Sequence, residues 1–178
     1  METSTNSTKQ QPLNIEAESG LTWTRKFATE GTDVWDTVTW EKRNASIGDV
    51  SGNMVFEQND VEVPTSWSVT ATNVVISKYF RGHLGTEERE TSIRQLIQRV
   101  SYTIAQWGLE DGYFDSKESA EAYRDDLTWL CLHQYMAFNS PVWFNVGVEE
   151  RPQCSACFIN SVDDSMESIL GLAKTEGM

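Results

Sequence analysis

The sequence predicts a mainly α-helical N-terminal domain with a short β-rich lead-in, running into the first β-α step of an α/β unit. Three observations predict it. Glycines and a proline punctuate short extended runs before Ser66. Apolar residues then recur at helical spacing from Trp67 to Phe138, and after Pro141 a short apolar run is followed by a capping pattern. The chain divides accordingly into a polar tail at residues 1–20, a largely helical domain at 21–140, and the start of an α/β unit at 141–178.

Each element has its own signal. The tail is rich in Ser, Thr, Asn and Gln, too polar to bury a core. Residues 21 to 65 read as extended: Trp23, Arg25 and Phe27, then Val34, Trp35, Val38 and Trp40, alternate loosely. Met54-Val55-Phe56 and Val61-Glu62-Val63-Pro64 read as two short strands, the second ended by its proline. A first helix carries Trp67, Ala71, Val74, Val75 and Tyr79 on one face. Glu87-Glu88-Arg89-Glu90 is a solvated start to a second, where acidic residues favour the positive end of the dipole. That helix presents Ile93, Leu96, Ile97, Val100, Ile104 and Trp107 and closes at Gly108. A turn at Asp111-Gly112 leads to a third, starting at Ser116 or Ser119. It runs through Ala120, Tyr123, Leu127, Leu130, Cys131, Gln134, Tyr135 and Phe138 until Pro141 ends it, because the residue before a proline resists helical geometry. Ala156-Cys157-Phe158-Ile159 then fits a strand buried on both faces. Asp164-Ser165-Met166-Glu167 reads as a capping box with Asp164 as N-cap, opening a helix through Ile169, Leu170 and Leu172. A lone parallel β-α step cannot satisfy its own edges, so the stop at Met178 reads as a truncation.

Composition narrows the function. A hydrophobic content of 39% with seven tryptophans suffices for a core in 178 residues. The net charge of −13 argues against a nucleic-acid backbone or an anionic membrane as partner, since both need a basic face. No apolar run nears the roughly 18 residues of a membrane span, and no signal-peptide core follows Met1, so the expected location is cytoplasmic. Three cysteines do not make a disulfide framework there.

Cys154 and Cys157 form a Cys-x-x-Cys pair with three readings on residues alone. Half a zinc site would need a second pair, and only Cys131 and two histidines remain, so no metal-ligating set is expected. A thioredoxin-like redox pair would open a helix, whereas this one leads into a strand. Both could equally be small buried hydrophobes. Ser140 before Pro141 reads most simply as a helix terminator, and His83, in Arg81-Gly82-His83-Leu84-Gly85, has no evident ligand partners.

Taken together, Asn139-Ser140-Pro141-Val142-Trp143-Phe144-Asn145-Val146-Gly147, Cys154-Ser155-Ala156-Cys157-Phe158 and Asp163-Asp164-Ser165 resemble, in order and spacing, the start of the catalytic barrel of ribonucleotide reductases. The wording is similar to the adenosylcobalamin-dependent class II enzymes. So are Val61-Glu62-Val63-Pro64-Thr65-Ser66-Trp67-Ser68, Lys78-Tyr79-Phe80, Trp107-Gly108 and Gly112-Tyr113-Phe114, which extend the resemblance over roughly residues 23 to 178.

The resemblance implies that 141–178 begin a ten-stranded α/β barrel and that ribonucleotides, as diphosphates, are reduced to deoxyribonucleotides by thiyl-radical chemistry. Cys157 takes the place of one of two reducing thiols, with its partner elsewhere and Cys154 not the redox thiol. Ser140 hydrogen-bonds the nucleotide, and Ala156 contributes backbone contacts beside it. Asp164, with Ser165, takes part in binding a deoxynucleotide effector where a helix opens at a dimer interface. The implied cofactor is adenosylcobalamin, bound mainly by residues outside this chain. The implied partners are the remainder of the barrel, a thioredoxin-like reductant and, when complete, a second copy. Two other readings stay open: a non-catalytic or split fragment that needs a partner chain, and a small Cys-x-x-Cys metal or redox module.

Overall fold

The computed structural model describes residues 20–157 and 159–177; the expected tail at 1–20, all but Gly20, lies outside them, as do Phe158 and Met178. Its element order is β1 (Trp40–Gly48), β2 (Met54–Pro64), α1 (Val69–Tyr79), α2 (Ile93–Glu110), α3 (Lys117–Leu132), α4 (Ser140–Asn145) and α5 (Met166–Gly177).

β1 and β2 form an antiparallel hairpin, with Trp40 opposite Pro64 and Gly48 opposite Met54. Two short strands were expected at 54–56 and 61–64; they are one, bent by an irregularity opposite Arg43 and Ala45, near Asp60 at φ 57°. The polar stretch between them hides the continuity. Gln58 is buried, yet its amide donates to the Glu90 carbonyl at 2.8 Å and accepts from Arg89 Nε at 2.9 Å. A buried amide with both ends satisfied does not break a strand. Ala45, Val61 and Val63 point into the core.

The lead-in before β1 is extended only in part. Val34–Thr37 is a 3-10 turn, because Asp33 caps it by accepting from Trp35 N. Residues 21 to 28 lie along α3 rather than in a sheet. Leu21 N donates to the Tyr113 carbonyl at 2.8 Å. The buried Asp126 carboxylate accepts from the Lys26, Phe27 and Ala28 amides and from Trp23 Nε1.

The three long helices form, with different ends. α1 begins after Trp67, capped by Ser68, and buries Thr72 and Ile76; Val74, expected on that face, is exposed. Trp67 instead reaches across the core, where Nε1 donates to the Leu132 carbonyl at 2.9 Å. α2 buries Ile93, Leu96, Ile97 and Val100 as expected, but Gly108 does not close it. The helix continues to Glu110, and the missing Cβ makes room for the Phe114 ring, which a Cβ there would meet at 2.5 Å. The run at 87–90 is not a solvated helix start: Ser92 caps α2, and Glu90 is buried. α3 starts at the Ser116 cap and buries Ala120, Leu127 and Cys131. It stops at Leu132, where Gln134 takes φ 60°, so Gln134, Tyr135 and Phe138 lie beyond it. Pro141 therefore opens a helix, α4, with Asn139 as N-cap. Proline suits the first turn because its missing N–H has no intrahelical partner there.

At the C-terminal end, the strand expected over 156–159 is not formed among its described residues: Ala156, Cys157 and Ile159 are exposed. A parallel strand exists only by pairing with neighbours, and no strand among the described residues pairs with it. α5 is present as expected, but its cap is Ser165, not Asp164. Ser165 Oγ accepts from Ser168 N at 3.2 Å, while Ser168 Oγ accepts from Asp163 N at 3.0 Å. α5 buries no side chain, and Met166, Ile169 and Leu170 are exposed along it.

Candidate functional site

Ser140 is the first residue of α4, whose Val142, with Val146 just past its end, closes on Val100 of α2. Its half-buried hydroxyl lies 3.1 Å from the Tyr79 hydroxyl at the end of α1. The Tyr79 ring packs at 5.2 Å against Phe144 of α4. Asn139 caps the turn by accepting from Val142 N, Pro141 opens it, and the Tyr79 hydroxyl meets that of Ser140. Beside Tyr79 opens a largely apolar groove of about 380 Å³, lined by Trp67, Val75, Leu96, Cys131 and Trp143 among others.

The far end of α4 is tied to α2. Arg99 Nη1 donates to the Trp143 and Val146 carbonyls at 3.1 and 2.8 Å, and Nη2 reaches the Tyr79 carbonyl at 3.4 Å. Its Nε pairs with Glu90 at 2.8 Å, both side chains at most 10% exposed. Glu90 also accepts from Arg81 N at 2.8 Å. Arg99 was not singled out from the sequence, and Glu90 was read only as part of a solvated helix start. A salt bridge nine residues apart that straddles a helix start has no local signature.

The cysteines separate into three environments. Cys131 is buried in the core, and burial pushes its thiol up to about 12, so it is an inert hydrophobe at neutral pH. Cys154 is partly buried against the Val100, Val142 and Val146 cluster, and its segment is held to α4 by Asn145 Nδ2 donating to the Gln153 carbonyl at 2.7 Å. Cys157 is free and exposed three residues on, with Ala156 exposed beside it. Among the described residues no hydrogen bond joins Ser140 to Ala156 or Cys157. Asp164 and Ser165 are exposed at the start of α5.

The zinc reading of Cys154 and Cys157 finds no support, since no group of three His, Cys, Asp or Glu among the described residues could hold a metal ion. His133 is occupied otherwise: it stacks on Trp129 at 4.3 Å and its Nε2 lies 2.9 Å from Thr37 Oγ1, and burial lowers its pKa. No described helix is long and apolar enough to cross a membrane.

Residues 41–134, from β1 through the end of α3, match the family described as class II vitamin B12-dependent ribonucleotide reductase. Among similar proteins, the vitamin B12-dependent ribonucleotide reductase of Rhodopirellula baltica is 50% identical over 190 residues, covering 90% of this chain and 18% of the relative. That of Streptomyces clavuligerus is 50% identical over 163 residues, covering 91% of this chain and 17% of the relative. The Agrobacterium fabrum protein of the same name is 28% identical over 204 residues, covering 80% of this chain. The chain thus spans less than a fifth of the length of these relatives. With more than half of its length, and its main core, matched by the family, the chain belongs to the class II, vitamin B12-dependent ribonucleotide reductases and corresponds to their N-terminal segment.

Proposed function

We propose that this chain serves as the N-terminal part of a reductase that converts ribonucleoside diphosphates to deoxyribonucleotides by thiyl-radical chemistry, in the cytoplasm. One observation supports the reading: the pieces that carry Ser140 and Cys157 resemble the family's in order and spacing, in a chain half identical to named reductases, and the Ser140 hydroxyl meets that of Tyr79 on a proline-opened turn.

Each residue then has a task. The Ser140 hydroxyl hydrogen-bonds the nucleotide, and the backbone at Ala156 contacts the same substrate. Cys157 is one of two reducing thiols. A radical on a third cysteine takes the 3′-hydrogen; one thiol proton leaves with the 2′-hydroxyl as water, the pair supplies two electrons and its second proton to C2′ and ends as a disulfide, and the third cysteine returns the 3′-hydrogen and regains its radical. A thioredoxin-like dithiol reduces that disulfide for the next turnover. The family's cofactor, adenosylcobalamin, supplies the radical by homolysis of its cobalt–carbon bond; we assign none of the described residues to it. The start of α5, at Asp164 and Ser165, takes a deoxynucleotide effector against a second copy, and the segment from 141 pairs with further strands to begin the barrel.

The test joins this chain to the remaining reductase sequence and assays adenosylcobalamin-dependent deoxynucleotide formation from diphosphates, with Cys157→Ser as the control. Activity that disappears with Cys157→Ser under dithiol turnover is the expected result. Full multiple-turnover activity in that variant would remove Cys157 from the redox pair.

A further inference from the structure

The Tyr79 and Ser140 hydroxyls, 61 residues apart in sequence, meet at 3.1 Å where α1 ends and α4 begins. Both elements are held by the same guanidinium. Arg99 donates to the Trp143 and Val146 carbonyls of α4 and to the carbonyl of Tyr79 itself. Its own position is set by Glu90, which accepts at once from Arg99 and from the Arg81 amide just past α1. α4 comes flush against α2 at this point, since a Cβ on Gly147 would lie 2.9 Å from the Arg99 carbonyl and from Thr103 Oγ1.

A buried ion pair of this kind is weak ground for stability, because desolvation offsets most of its attraction. What Arg99 supplies is geometry: a rigid planar fork that joins three carbonyls and a carboxylate, which a lysine ammonium cannot reproduce. The consequence falls on the two hydroxyls. A serine has one proton to give and two lone pairs to accept with. If the phenol donates to Ser140 Oγ, the serine keeps its proton for an acceptor in front of it, and that bond is strengthened by the one behind it.

We propose that Tyr79 is a positioning residue for nucleotide binding: it donates to Ser140 and so directs the serine proton at an oxygen of the bound nucleotide, with Arg99 holding the two elements in register. This rests on the assignment of Ser140 as a nucleotide contact. It adds a residue that does not itself touch the substrate.

The experiment is a double-mutant cycle in the reductase joined as above, with KM and kcat measured separately. Tyr79→Phe removes one oxygen and leaves the ring on Phe144. Loss of one neutral hydrogen bond corresponds to about fivefold in binding. Tyr79→Phe should raise KM by about that factor with kcat little changed, Ser140→Ala should do the same, and the double variant should be no worse than Ser140→Ala. Arg99→Lys should behave like Tyr79→Phe, and its effect should vanish in the Ser140→Ala background. A KM untouched by Tyr79→Phe while Ser140→Ala raises it, or effects that multiply, overturns the proposal alone. A KM untouched by Ser140→Ala overturns the contact and the proposal together, while the Cys157→Ser result still judges the redox assignment independently.

Discussion

Replacing Asp126 by alanine should detach residues 21 to 28 from α3, and the size of the effect follows from which donors lose their acceptor. The carboxylate accepts from Lys26 N at 2.8 Å, Phe27 N and Ala28 N at 2.9 Å, and Trp23 Nε1 at 3.0 Å. Lys26 and Phe27 are exposed, so their amides can turn to water at little cost. Ala28 is buried and Trp23 half-buried, so those two donors are stranded at about 1–3 kcal/mol each. The expected loss is about 4 kcal/mol at pH 7, read from urea unfolding of the chain by tryptophan fluorescence. Desolvation pushes the Asp126 carboxyl up, but the hydrogen bonds from Ala28, Phe27, Trp23 and Lys26 together outweigh it and hold it below the ordinary aspartate range. A folded-state pKa below the unfolded one means that the contribution is complete above about pH 4 and is lost as pH falls through the folded value. The difference between wild type and Asp126→Ala should therefore be constant from pH 7 to 5 and shrink in stronger acid. The released segment should also become open to trypsin at Arg25 and Lys26. A variant within about 0.5 kcal/mol of wild type, or a difference indifferent to acid, would refute the reasoning.

Two further outcomes are expected. Gly147→Ala must take φ +72° and place its Cβ 2.6 Å from Arg99 Cγ and 2.9 Å from the Arg99 carbonyl, so it should lower stability by about 2–3 kcal/mol; an unchanged urea midpoint would show that α4 does not depend on that close approach. In native protein at pH 8, a thiol-alkylating reagent should label exposed Cys157 first, Cys154 more slowly and Cys131 only after denaturant is added; native labelling of Cys131 at the rate of Cys157 would contradict its burial.

By itself the sequence determined whatever is local or recurs at short range. The stripe Ile93, Leu96, Ile97, Val100 marks α2, a serine at 116 or 119 marks the start of α3, and the residues of α5 read as a helix, since spacing and capping act within one or two turns. The order of the Asn-Ser-Pro and Cys-x-x-Cys-Phe pieces was enough to point to the family that the comparisons then established. Helix ends were less legible. Gly108 and Pro141 are breakers by propensity, and each does the opposite here, one accommodating Phe114 and the other starting a turn. Only the tertiary structure decided the buried polar groups. Glu90 reads as solvated, and Asp126, Arg99 and Gln58 carry no signal in the sequence, because a charged or amide side chain is costly inside unless its hydrogen bonds are met. Their partners come from elsewhere in the chain: the donors to Asp126 are about a hundred residues away. Tyr79 and Ser140 meet for the same reason, since no spacing rule joins the end of one helix to the start of another until the core between them has closed.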